Sequence, residues 1–146
     1  MICPICKVPM LVVEFEEIEL DCCNECAGVW FDRGELLLLF GGNEAERIEL
    51  RPENIDSLPE APTTEKQRKC PLCRQKMRKL YIGPRQTVLI DACPDGDGLW
   101  FDGGEVAALG RQYEEAEQPV PRIVLRFIKR VFCRDEASGQ REGEDA

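Results

Sequence analysis

Histidine is absent from this 146-residue sequence. Its absence excludes zinc sites with histidine ligands, the His-Glu-x-x-His helix of metalloproteases and the commonest general base of enzymes. Long apolar runs are also missing, because no stretch approaches the ~18 consecutive apolar residues of a membrane-spanning helix. The N-terminus, MICPICKVPM, has no apolar run after a basic start, so we expect no export signal and a cytoplasmic location.

Positively charged residues are fewer than negatively charged ones: the chain has 19 Lys and Arg and 28 Asp and Glu, which gives a net charge of −9. This balance argues against a general nucleic-acid coat. Cysteine, in contrast, is plentiful, with nine in the chain. Cysteines in a chain without an export signal favour metal ligation over disulfides.

The cysteines belong to a pattern that the chain uses twice. Residues 3–35 contain CPIC, sixteen further residues, CNEC and then AGVWFDRGE. Residues 70–105 contain CPLC, nineteen further residues, Cys93 and then PDGDGLWFDGGE. Two C-x-x-C pairs at this separation are typical of a zinc ribbon. Units of about 40 residues rarely bury a sufficient core without a metal or disulfides, so we predict a small, metal-dominated fold.

The pattern C-P-x-C, a hairpin and then D-x-C-x-x-C-x-G-x-W-F-D-x-G-E resembles the transcription-factor-IIB-type zinc-ribbon family of bacterial proteins, in two tandem copies. The resemblance covers roughly residues 1–42 and 70–110. It implies a zinc-binding ribbon with a name taken from transcription. It implies no reaction, because most such bacterial proteins have no assigned biochemical role.

The domain organisation follows from these two copies and from the composition between them. The predicted parts are a zinc ribbon at 1–42, a flexible linker at 43–69, a second zinc ribbon with a following helix at 70–118, a basic amphipathic helix at 119–134 and a disordered polar tail at 135–146. Each ribbon is predicted to be a β-hairpin with two cysteine knuckles plus a short helix. The second helix is expected from Gly103 onward, with a break at Gly110 as one alternative.

The hairpins and helix starts can be placed by aligning the two copies. Strands are predicted at 10–15 and 17–22 in the first ribbon. The offset between the copies changes from 67 to 70 inside the hairpin, so the second turn, marked by Gly83-Pro84, should be three residues longer. Asp32 and Asp102 each precede a glutamate, Glu35 and Glu105, by three residues. This spacing is that of a capping box, so we predict that both aspartates cap helices.

The first predicted metal site consists of Cys3, Cys6, Cys23 and Cys26. Zinc takes four such ligands in a tetrahedron, and two knuckles supply two each. Four thiolates leave the site with a charge of −2, so backbone N–H groups should point at the sulfurs. Cys22 competes with Cys23 as a ligand, but it aligns with Ala92 while Cys23 aligns with Cys93. We therefore predict that Cys22 is a small buried apolar side chain.

The second predicted metal site contains only three cysteines, and its proposed ligands are Cys70, Cys73, Cys93 and Asp97. Gly96 stands where the fourth cysteine should be, and Asp97 follows it. A carboxylate is an accepted zinc ligand at about 2.0–2.2 Å. Asp95, a water molecule and an empty site are the alternatives. A three-thiolate site with water would be open, as catalytic zinc sites are, but no histidine is present to act as a base.

Two tryptophans recur in the same place after the second knuckle of each copy. Trp30 and Trp100 are expected to fill the small core and not to stack on a ligand, because units of this size have little else to bury.

Two basic stretches interrupt an otherwise acidic chain. From Lys66 to Arg85 there are eight Lys or Arg and no acidic residue, with Tyr81 among them. This stretch is either a nucleic-acid surface or a solvated face balanced by the acidic linker. Residues 120–134 carry five positive charges with apolar residues at helical spacing. Such a helix lies on an anionic membrane, docks in a partner's groove or packs on the second ribbon.

Together, these observations predict a zinc-binding protein with two zinc sites, no enzymatic activity and a role as a protein-interaction adaptor. Nucleic-acid binding through the basic second hairpin is the first alternative. Thiol redox chemistry or hydrolysis at an open zinc is the second, although no thioredoxin-like βαβ context supports the former.

Overall fold

The structure is a computed structural model that describes residues 1–41, 47–118 and 120–132, without the side chain of Phe132. Its strands are β1 (Leu11–Phe15), β2 (Ile18–Cys22), β3 (Val29–Asp32), β4 (Arg78–Ile82), β5 (Val88–Ala92) and β6 (Gly98–Phe101). Its helices are α1 (Glu35–Phe40), α2 (Pro52–Asp56), α3 (Glu105–Glu115) and α4 (Arg122–Phe132), with a 3₁₀ turn at Ile48–Leu50. The predicted tail at 135–146 lies outside the described residues. We call residues 1–41 the first repeat and residues 68–118 the second repeat.

All six strands form one antiparallel sheet, in the order β1-β2-β3-β6-β5-β4. The hairpins of the two repeats therefore lie at opposite ends of the sheet, and β3 pairs with β6 in its centre. In that central pair Trp30 lies opposite Trp100. The loop between β1 and β2 has two residues and that between β4 and β5 has five, so the second turn is three residues longer, as the alignment predicts.

The third strand of each repeat differs from the sequence expectation of a hairpin and a helix alone. Strand β3 has four residues, of which Val29, Trp30 and Phe31 are all buried. A strand this short and buried on both faces shows no alternation of apolar and polar residues, so periodicity does not reveal it. Because β3 and β6 pair with each other, the two repeats share one sheet.

Each tryptophan of the central pair packs over a glycine of the other repeat. A Cβ atom placed on Gly28 would lie 2.2 Å from Cζ2 of Trp100, and one placed on Gly98 would lie 2.6 Å from Cζ2 of Trp30. Both distances are far inside van der Waals contact, so only glycine permits this approach. The tryptophans do fill a core, but the core is one that the two repeats build jointly.

The segment between the repeats packs against the sheet, which differs from the expectation of a flexible linker. Leu50 and Ile55 are buried in the main core, and Arg33 forms an ion pair with Asp56 at 2.9 Å. The backbone N–H of Ala61 donates a hydrogen bond of 2.7 Å to the carbonyl of Lys79. The many prolines and charges of this segment predict a flexible linker, but a small number of apolar residues are enough to hold it against the sheet.

Helices α3 and α4 complete the main core on one face of the sheet. Helix α3 runs through Gly110 without a break. A Cβ atom placed on Gly110 would make only ordinary contacts with Ile128 and Phe40, at 3.7 and 3.8 Å. In α4, Val124, Phe127 and Ile128 are buried, and the ring of Phe127 lies 4.4 Å from that of Phe15.

The buried part of the apolar face of α4 therefore contacts both repeats, whereas Ile123 of the same helix is exposed. Its basic side chains are exposed: Arg122, Arg126, Lys129 and Arg130. None of the helices in the described part of the chain has both the length and the apolarity needed to span a bilayer.

We predict that Gly98→Ala destabilises the protein by about 1–3 kcal/mol, because the added methyl group would lie 2.2 Å from the Phe31 carbonyl oxygen and would displace Trp30. Chemical denaturation of the zinc-loaded protein measures this change. Gly110→Ala makes the same chemical change where space exists, and it should be neutral or stabilise the helix by roughly 0.5–1 kcal/mol. Equal stability of both variants would contradict the packing described here.

Candidate metal centres

The first candidate centre brings together all four predicted cysteines. The sulfur atoms of Cys3, Cys6, Cys23 and Cys26 all lie within 4.8 Å of one another. Cys3 and Cys23 are buried, while Cys6 and Cys26 are half-buried. Four thiols this close form a ligand set that could hold a zinc ion.

The knuckle backbone directs N–H groups at the sulfurs, as the charge of the site requires. The amides of Ile5 and Cys6 each donate to Sγ of Cys3 at 3.3 Å, and the amide of Glu25 donates to Sγ of Cys23 at 3.4 Å. The second repeat has the same arrangement, in which Leu72 and Asp95 donate to Cys70 and Cys93, each at 3.3 Å. These donors stabilise thiolates and therefore favour a bound cation.

The second candidate centre places Asp97 with the three cysteines. Ligand atoms of Cys70, Cys73, Cys93 and Asp97 lie within 4.8 Å of one another, and Oδ2 of Asp97 is 3.6 Å from Sγ of Cys70. Asp95 instead accepts a hydrogen bond from the side chain of Gln75. Of the alternatives open at the level of sequence, the geometry therefore favours Asp97 over Asp95.

The loop that carries Asp97 closes one residue earlier than its counterpart. In the first repeat, Ala27 has φ +65° and its amide bonds to the Cys23 carbonyl at 3.0 Å. In the second, Gly96 takes the left-handed conformation at φ +82° and bonds to the Cys93 carbonyl at 3.0 Å. The next residue, Asp97, can then reach the centre, because a carboxylate oxygen lies one bond further from Cβ than a thiol sulfur does. A cysteine at position 96 would be strained and would crowd Arg33, whose Nη1 lies 2.8 Å from a Cβ placed there.

A family model described as "Transcription factor zinc-finger" matches residues 2–40 and 69–111, which together make up more than half of the chain. This chain belongs to that zinc-finger family. The two matched segments are consistent with two tandem copies, and each contains one of the two ligand sets. Comparisons with curated proteins and with solved structures give no match.

As zinc-finger ligands, the thiols must lose their protons when the metal binds. Burial raises the pKa of Cys93 to about 12 and also raises the pKa of Cys6 and Cys70. Burial alone would also raise the pKa of Cys23, but hydrogen bonds from the backbone amides of Cys26 and Glu25 outweigh it and lower the pKa. Metal binding at neutral pH should therefore release protons at both centres.

The aspartates of the zinc-finger motif do not cap helices, which corrects the sequence expectation. Asp32 Oδ1 accepts a hydrogen bond of 2.9 Å from the indole N–H of Trp30, and Asp102 accepts one of 3.1 Å from Trp100. Helices α1 and α3 begin after Gly34 and Gly104, without a side-chain cap.

Only the glutamate half of the predicted capping box forms. Oε1 of Glu35 accepts from the amide of Asp32, and Oε1 of Glu105 accepts from the amide of Asp102, each at 3.1 Å. The W-F-D-x-G-E stretch therefore fixes the tryptophan that joins the two repeats.

A set of ion pairs beside the second centre was not apparent from the sequence. Lys79 and Asp91 are both buried and their charged atoms are 2.7 Å apart. Lys79 also pairs with Glu65 at 2.8 Å, and Arg68 pairs with Asp102 at 2.8 Å. Burial alone would lower the pKa of Lys79, but its hydrogen bonds to Asp91 and Glu65 raise it, so the amine stays charged. The available signal was a cation and an anion on two mostly apolar strands, Lys79 on β4 and Asp91 on β5.

Both ligand sets have the composition of a structural zinc site. With Asp97 as a ligand, each set supplies four protein groups, which is the number that zinc takes in such sites. A bound zinc ion would cross-link the two knuckles of a repeat and stabilise the fold. Cys22, which the sequence predicts to be buried, is half-buried and packs against the main core.

We predict that Asp97→Ala lowers the zinc affinity of the second centre roughly tenfold or more, since even outer-shell changes cost 10–100-fold. Competition with a chromophoric chelator measures the affinity and the number of zinc ions bound. Asp95→Ala is the matched control and should leave both unchanged, while the first centre provides an internal reference. Wild-type affinity in Asp97→Ala would remove Asp97 from the ligand set.

We also predict a pH dependence of stability from Glu105. Burial, and after it the charge of Asp102, raises the pKa of Glu105 to about 8. In the unfolded chain this group titrates near 4.5, so the folded state keeps a proton that the unfolded state has already lost. The resulting stability is complete below the unfolded pKa and is lost as the pH rises through about 8.

Glu105→Gln should therefore reduce the fall in the free energy of unfolding between roughly pH 6 and 9. Chemical denaturation of the zinc-loaded proteins measures it, and the slope contributed by the cysteines cancels in the difference. Glu115→Gln, at an exposed site on the same helix, should match the wild type. Parallel curves for wild type and Glu105→Gln would contradict the assigned titration.

Proposed function

We propose that this protein is a zinc-stabilised, non-catalytic module that binds other proteins. The observation that carries the proposal is the apolar surface of the first repeat. Six large apolar side chains of this repeat are exposed, and five of them lie within residues 1–12: Met1, Ile2, Ile5, Leu11 and Val12. Exposed apolar side chains that cluster on a small protein favour an interaction site.

The metal centres support a binding role over an enzymatic one. Each has two buried and two half-buried ligands, and both ligand sets are complete in the four-coordinate sense. In such a protein, zinc would add to the stability that the apolar core provides and hold the binding surface in shape. We also propose a reducing cytoplasmic compartment, because the thiols serve as metal ligands and not as disulfides.

Nucleic-acid binding is the second candidate, and the exposed basic side chains of the second repeat favour it. Lys69 and Lys76 face each other across an isolated bridge, and Arg74 lies exposed between them. The remainder of the basic stretch supports it less. Arg68 and Lys79 are paired with acids, and Arg78 donates to backbone carbonyls of the segment before the second repeat.

We predict that the zinc-loaded full chain captures a discrete protein partner, that the complex survives nuclease treatment, and that prior removal of the metal abolishes capture. Affinity capture followed by mass spectrometry measures this. In parallel, fluorescence anisotropy with single- and double-stranded probes at low salt should show no binding that fades with added salt.

The triple variant Lys69→Glu, Arg74→Glu, Lys76→Glu distinguishes the two candidates. Under the proposed function it captures the partner as the wild type does. Salt-dependent probe binding by the wild type that this variant loses, together with nuclease-sensitive capture, would replace the proposal with the nucleic-acid candidate.

A further inference from the structure

The two edge strands of the sheet have equivalent pairing registers with their neighbours. They differ in whether another part of the chain covers them. Strands β1 and β4 form these edges. The pairing of Val12 with Asp21, and of Asp21 with Trp30, repeats that of Lys79 with Asp91 and Trp100. Met1 and Arg68 also correspond, because their carbonyls accept from Met10 and Met77 at 2.9 and 2.8 Å. The second repeat therefore provides a template for what fits on the first.

On the β4 edge, the chain supplies its own extended segment. The amide of Ala61 donates to the Lys79 carbonyl at 2.7 Å, and the guanidinium of Arg78 donates to the carbonyls of Asp56 and Leu58. Glu65 of the same segment pairs with Lys79. As a result Lys79 is only 4% exposed and Asp91 only 2%.

On the β1 edge, the corresponding positions are open. Val12 is 60% exposed and Leu11 57%. Among the residues that the structure describes, no backbone amide outside the pairing of β1 with β2 donates to the Val12 carbonyl, which matches the carbonyl of Lys79. Edge strands with free ladder groups and apolar side chains readily pair with another chain.

The charge around the two edges differs as well. In the second repeat, Arg68 and Lys79 neutralise Asp91 and Asp102. In the first repeat Met1 and Val12 occupy those two positions, so Asp21 and Asp32 lack these two side-chain cations, although the N-terminal ammonium of Met1 lies near Asp21. The hairpin from Leu11 to Cys22 carries five acidic residues and no basic one.

We propose that β1 binds an extended, basic segment of a partner protein, which covers the first repeat as residues 57–65 cover the second. The segment would donate a backbone hydrogen bond to the Val12 carbonyl and lie on Leu11 and Val12. Its lysine or arginine side chains would meet Asp21 and Asp32, where Arg68 and Lys79 act in the other repeat. This is β-strand addition with electrostatic selection for a cationic strand.

The proposal rests on the protein-binding function above and names the chemical class of the partner. A second copy of this chain is a poorer occupant, because pairing two β1 edges would bring two acidic hairpins together. A helical partner would leave the open backbone groups of β1 unpaired.

Amide NMR of the zinc-loaded full chain tests the site directly. The probe is a blocked octapeptide of alternating valine and lysine at low salt, and the matched control peptide has glutamate in place of lysine. The lysine peptide should shift the amides of β1 and of Asp21, with an effect that weakens as salt is added. The glutamate peptide should cause no shift.

Val12→Lys should weaken binding of the lysine peptide about tenfold or more, because it places on β1 the cation that β4 already has and pairs it with Asp21. Ile48→Lys adds the same charge at another exposed apolar site, 50% exposed and outside both repeats, and should bind as the wild type does. Thermal unfolding of both variants verifies that each is folded.

Three results would overturn the proposal: shifts centred outside the first repeat, binding by Val12→Lys within twofold of wild type, or a wild-type dimer in light scattering that Val12→Lys converts to monomer.

Capture of the native partner separates failure of this proposal from failure of the wider protein-binding function. A partner held equally by wild type and Val12→Lys removes β1 as the surface and leaves the binding function intact. A wild-type chain that captures no protein removes the binding function itself.

Discussion

The pairing of β3 with β6 is the constraint on which the rest of the structure depends. Trp30 and Trp100 lie opposite each other in this pair, and each covers a glycine of the other repeat. The cysteines of both candidate centres pack around these two rings in one small cluster. Without this pairing, each repeat would expose a tryptophan and the free edge of a three-stranded sheet. The metal ligands and the central strands therefore stabilise one another.

The sequence was sufficient to predict which cysteines lie close together, because ligand spacing is a local property. Two knuckles with fixed cysteine separations leave little freedom, and the comparison of repeats resolved the choice between Cys22 and Cys23. Asp97 could be suggested but not selected, since the choice depends on the left-handed backbone at Gly96. That conformation depends on the whole loop and not on one residue's preference.

The shared sheet could not be predicted, because its evidence is non-local. Strands β3 and β6 are four residues long, and nothing in VWFD or GLWF indicates a partner about 70 residues away. A second local signal, an aspartate three residues before a glutamate, predicted that Asp32 and Asp102 cap helices. The carboxylates instead accept hydrogen bonds from the indole N–H groups of Trp30 and Trp100. Pairing between distant residues thus overrode two local expectations.

The opposed tryptophans have a further consequence for how such a chain can vary. One repeat contains both halves of the contact, the ring and the glycine that it covers, so two identical repeats would satisfy it as a two-fold symmetric pair. Joining them in a single polypeptide keeps the contact but removes the requirement for identity elsewhere. One half is then free to exchange a cysteine for a glycine and an aspartate, and one sheet edge is free to lose the cations that the other retains. Covalent fusion turns a symmetric scaffold into a molecule with two unlike ends.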